Sequence, residues 1–96
     1  MKRINAELAE VFYGIESLEA MQRFFDEIFT PAERKDFALR WKLMKLLAEG
    51  KSQRAIAAKL GISLCKITRG AKIIHNRNSV TNQMLKLSTI IKEKRI

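Results

Sequence analysis

A single cysteine, Cys65, and a single proline, Pro31, occur in 96 residues. One thiol permits no internal disulfide and fits a reducing compartment, so a cytoplasmic location is expected. No run approaches the roughly 18 apolar residues needed to span a bilayer. The opening MKRINAELAE carries two basic residues but no apolar stretch or cleavage site, so no export signal is expected. No carboxylate dyad, nucleophile paired with a base or phosphate-binding glycine loop is present, and an enzyme is not expected. The lone histidine, His75, has no cluster of cysteines or carboxylates around it, which argues against a metal site. No repeat or low-complexity segment appears.

Acidic residues are scarce in one half only. Residues 1–50 hold 8 basic and 9 acidic groups, whereas residues 51–96 hold 11 basic groups against Glu93 alone. The halves therefore carry −1 and +10, and together the net +9 of the chain. A charge so unevenly placed points to a polyanion as partner of the second half, nucleic acid before membrane. Apolar residues make up 47%, enough for a folded core, and the length allows one small domain.

Six helices are predicted. The first runs from about Asn5 to Tyr13 and stops at Gly14. The second follows Ser17, a plausible N-cap, to about Phe29, with Leu18, Met21, Phe24, Phe25 and Ile28 at helical spacing. Thr30 caps the third, with Pro31 at its first position and Glu33 in its first turn; it reaches Glu49 and stops at Gly50. Two short helices cover Ser52–Leu60 and Ser63–Ile74. A polar loop from His75 to Ser79 precedes a last helix from about Val80 to Lys94.

The third helix is apolar over most of its circumference, and its Phe37 and Trp41, like Phe24 and Phe25 of the second, are expected in the core. Such a helix must be covered on several sides. A chain this short cannot supply all that cover, so an interlocked homodimer is expected.

The stretch SQRAIAAKLGISLCKITRG places Ile56, Ala57 and Leu60 before Gly61, and Ile62 and Ile67 after it. Two helices packed at a steep angle about a tight turn need this pattern: a small residue at the crossing and a glycine in the turn. Ser52 and Ser63 stand as N-caps. The exposed positions separate this from an ordinary helical hairpin, because no acid lies between Lys51 and Ile91. A helix-turn-helix on double-stranded DNA follows, with the N-terminal residues of its second helix towards base edges. The residues expected at DNA are Gln53, Arg54, Ser63, Leu64, Cys65, Lys66, Thr68 and Lys72. Lys66 suits guanine acceptors, Thr68 a methyl, phosphate or water, and Gln53 and Arg54 suit backbone phosphates.

With FTPAER, Arg40 ten residues after Thr30, EGKSQRAIAAKLG and ITRG, the chain resembles the tryptophan operon repressor family over about Phe29 to Ile74. Helix-turn-helix operator binding with water-mediated contacts is known of that family. The resemblance implies an all-α, six-helix, intertwined dimer acting as a transcriptional repressor with L-tryptophan as corepressor. It places Thr30, Arg40, Arg69, Gly70 and Ile73 at the ligand. Thr30 and Arg69 would hold the carboxylate, Arg40 and Arg69 would sandwich the indole, and carbonyls near Glu27 and Phe29 would receive the ammonium. Arg40 could instead pair with Asp36, and Arg69 could instead contact a phosphate.

Two positions depart from the family pattern. Ile73 stands where typical tryptophan-responsive members carry a serine that contacts the ligand's amino end. The turn between Gly50 and Ser52 is one residue shorter. The alternatives are a regulator of the same superfamily with no corepressor or another one, and a dimer that docks an acidic protein partner.

Overall fold

A computed structural model describes the backbone of residues 2–95 and the side chains of residues 5–91. Six helices appear in chain order: α1 (Lys2–Tyr13), α2 (Leu18–Ile28), α3 (Pro31–Ala48), α4 (Gln53–Leu60), α5 (Leu64–His75) and α6 (Val80–Arg95). Among the described residues there is no strand, and no helix is long and apolar enough to cross a membrane. The chain divides into two compact units, one ending at Asp36 and one beginning at Phe37.

The first unit is joined by aromatic rings. Phe12 of α1 meets Phe24 edge-on at 5.4 Å and Phe25 in a stacked arrangement at 5.5 Å. Such pairs each add about 0.5–1.5 kcal/mol beyond burial. Ser17 caps α2, its Oγ accepting from the Ala20 N–H at 3.0 Å. No described residue of this unit is fully buried, and Leu18 and Ile28 stay open. Two short helices in contact on one side cannot enclose a core.

A reciprocal box starts α3. Thr30 Oγ1 accepts from the Glu33 N–H at 3.2 Å, and Glu33 Oε1 accepts from the Thr30 N–H at 2.9 Å. Two orphan donors of the helix end are thereby satisfied. At the other end Gly50 takes φ 84°, with bonds from Gly50 N–H to the Leu47 carbonyl and from Lys51 N–H to the Leu46 carbonyl. That pair of bonds closes a helix only when a residue can adopt the left-handed region, as glycine does freely.

The core belongs to the second unit. Leu43 and Leu46 of α3, Ile56 of α4 and Ile67 of α5 are buried, and Leu47, Ala57, Leu60 and Ile62 pack against them. Gly70 is buried too. A Cβ there would come within 3.0 Å of a Leu47 methyl and 3.3 Å of a Leu43 methyl. The missing side chain therefore sets how closely α5 lies on α3. Asn82 of α6 donates from Nδ2 to the Ile74 and Asn76 carbonyls, both at 2.9 Å, and so ties α6 to the end of α5.

Phe37 and Trp41 depart from expectation: they are 40% and 36% exposed. They lie on the side of α3 away from Leu43 and Leu46, a consequence of helical spacing. A second exposed apolar row runs along α6 through Val80, Met84, Leu87 and Ile91, spaced four, three and four residues apart.

Two substitutions test this packing by urea unfolding at fixed protein concentration. Ile67→Ala removes a fully enclosed side chain and is expected to cost about 2–5 kcal/mol. Gly61→Ala meets no neighbour within 4 Å but forces φ 65° on a residue with a Cβ, and is expected to cost about 1–2 kcal/mol. Gly61→Asn should lose less, since asparagine tolerates that region.

Candidate nucleic-acid interface

Each helix of the α4–α5 pair is fixed at its start by a serine. Ser52 Oγ accepts from the Ala55 N–H at 3.1 Å, and Ser63 Oγ accepts from the Lys66 N–H at 3.4 Å. Between them Gly61 adopts φ 65° and ψ 31°, and its N–H donates to the Ala57 carbonyl at 2.9 Å. This turn, with Ile56 and Ile67 both driven inward, makes α5 present a fixed outer face.

Ile67, Gly70 and Ala71 point inward, with Ile73 and Ile74 half-buried. Leu64, Cys65, Thr68, Arg69 and Lys72 form the outward stripe, one helical turn between successive pairs, and Lys66 stands exposed on its flank. A shallow, open depression lies along the stripe, lined by these same five residues. Gln53 and Arg54 are exposed in the first turn of α4, where unpaired backbone N–H groups favour an anion. With no acid in the sequence from Lys51 to Ile91, every formal charge carried by α4 and α5 is positive.

All eight residues expected at DNA therefore lie on exposed positions, Ser63 at the helix cap among them. The residues expected at a ligand distribute differently. Thr30 belongs to the first unit, and its hydroxyl oxygen is used as a cap acceptor. Its O–H proton remains able to donate. Arg40 is exposed on α3, and Arg69 lines the α5 depression beside Leu64 and Lys72. Gly70 is buried against α3 side chains, and Ile73 is half-buried with no polar atom to offer.

Two positions that hold helices in place escape sequence reasoning. Arg34 donates from Nη1 to the Phe29 carbonyl and, at 3.2 Å, to the Asp26 carbonyl, while its Nε lies 3.5 Å from the Asp26 carboxylate. It closes the end of α2, where helix carbonyls lack partners. A cation four residues into the following helix is the signal that could have found it. Asn82 is the other. Ser79 caps α6 by accepting from the Asn82 N–H at 3.1 Å, which leaves the Asn82 amide facing back to α5.

The Trp repressor protein family matches residues 6–89, which reach into every helix and take in the whole α4–α5 pair. A Trp operon repressor homolog of Xylella fastidiosa is 35% identical over 72 residues, 74% of this chain and 78% of that protein. One from Chlamydia caviae is 39% identical over 66 residues, covering 68% of this chain and 65% of its own. A third, from Chlamydia trachomatis serovar D, is 40% identical over 55 residues, 56% and 58% of the two chains. No solved structure matches the chain. A match over most of its length, joined to capped helices packed about Gly61, establishes that the chain belongs to the Trp repressor family.

Proposed function

We propose that the chain is a sequence-specific DNA-binding transcriptional repressor that works as a homodimer. The observation that carries this reading is the outer face of α5: exposed, free of acids, cationic at Arg69 and Lys72 with Lys66 on its flank, and held by an inner face locked through Ile67. A helix of this width enters the major groove, its N-terminal residues towards base edges. Lys66 reaches for guanine acceptors, while Gln53 and Arg54 hold backbone phosphates.

The dimer is supported by the exposed rows on α6 and by Trp41 on α3. A stripe of Val80, Met84, Leu87 and Ile91 left in water would be an aggregation hazard, and a second copy covers it without a new partner. Two α5 helices then read half-sites about one helical turn apart.

L-Tryptophan as corepressor is what the family likeness implies, and the side chains it would use have the chemistry for a carboxylate and an indole. The Thr30 hydroxyl proton and the Arg69 guanidinium suit an anion, and the Arg40 guanidinium suits an aromatic face. For the ammonium end the chemistry is thinner: the Ile73 side chain offers no acceptor, and the Phe29 carbonyl already takes a bond from Arg34. These two features favour a second reading, in which the repressor binds DNA with no corepressor or with another one. Calorimetric titration decides between them: binding of L-tryptophan that tightens the hold on DNA supports the first. No heat at millimolar ligand, with unchanged DNA affinity, supports the second.

Binding to a duplex followed by fluorescence anisotropy at several salt concentrations tests the DNA reading itself. Arg54→Ala should weaken binding to every duplex alike and lower the log–log salt slope by about one unit for each phosphate lost. A slope left unchanged would remove Arg54 from the backbone contacts. Leu87→Asp, which puts a charge into the α6 row, should convert a dimer to monomers in sedimentation. A wild-type chain that sediments as a monomer in dilute solution would contradict the dimer.

A further inference from the structure

Leu64 opens α5 with 58% of its surface exposed. One exposed leucine needs no explanation by itself. This one has a setting. It does not serve the core, which Ile56 and Ile67 fill at 1% and 0% exposure. It lines the α5 depression together with Cys65 and Thr68, and with the cations Arg69 and Lys72, so an apolar side chain, a thiol and a threonine share one exposed face with two positive charges. The combination calls for a partner that is anionic at the margin and apolar at the point of contact.

We propose that Leu64 is a specificity-determining residue that reads a thymine methyl group in the major groove; this rests on the DNA-binding reading above. Of the four bases, thymine alone puts an apolar group, its C5 methyl, on the major-groove edge. Phosphates on either side of that edge answer the charges of Arg69 and Lys72. Position along the helix agrees. Leu64 is the first residue after the Ser63 cap, at the end of the helix that approaches base edges, and Thr68 follows one turn behind it. Lys66, on the flank, is left to polar acceptors, so the two residues divide apolar from polar readout. An acidic protein surface would satisfy the cations but would give Leu64 no fixed methyl at a defined place.

The test begins with duplexes that the wild-type chain itself recovers from a random pool. They should hold one invariant thymine in each half-site. Replacing that thymine by deoxyuridine removes only the methyl and should weaken wild-type binding about three- to fivefold per half-site. Leu64→Ala should lose a similar factor on the thymine duplex and show no further loss with deoxyuridine, its thermal melt unchanged. Leu64→Met, which keeps an apolar tip, should retain the discrimination. Deoxyuridine without effect at every thymine, or with an equal effect in Leu64→Ala, overturns the assignment of Leu64 while leaving DNA binding intact. A chain that recovers no duplex from the pool, or whose binding shows no preference among sequences, overturns the DNA reading and this assignment with it.

Discussion

Burial of Ile67 against Leu43, Leu46 and Ile56 governs the rest of the second unit. A side chain with no exposed surface admits a single rotation of α5 about its axis, and Gly70 sets the distance at which that rotation is held. Turn the helix by one residue and a cation would enter the core while an isoleucine faced water. Desolvating an unpaired lysine or arginine costs several kcal/mol, far more than any surface contact could return. Four apolar side chains and one absent Cβ therefore decide where Leu64, Lys66, Arg69 and Lys72 point.

Charge then acts on a surface already built. The positive field of the second half needs no precise geometry, since it reaches across a Debye length of about 8 Å at physiological salt. It draws a polyanion without choosing among sequences. On the reading proposed above, choice comes from the short-range groups at the head of α5, whose placement depends on Ser63, Gly61 and the core beneath. Affinity and selectivity would then arise from different residues and respond differently to salt.

Much of this was legible because it is local. Ser17, Thr30, Ser52 and Ser63 announce helix starts through short bonds to N–H groups three residues on, and all four make those bonds. Gly50 and Gly61 mark ends where the backbone must turn left-handed. What escaped involves a return over distance. Arg34 reaches back eight residues to Asp26, and Asn82 reaches back eight to Ile74. Helical periodicity does not encode such bonds; for Arg34 only its place as a cation early in the following helix hints at one. The apolar character of Phe37 and Trp41 was legible, but periodicity gives only a face and not the body that covers it. Gly70 shows the same limit: it reads as part of a motif, and its burial against Leu47 emerges only from the packing.

The central claim is that the outer face of α5 meets DNA, and backbone amide shifts recorded as a duplex is added test it most directly. The account predicts that the largest changes fall on Ser63 to Lys72 and on Gln53 and Arg54, with α1 and α2 little affected. Changes centred on the first unit, or none at all under saturating duplex, would contradict it.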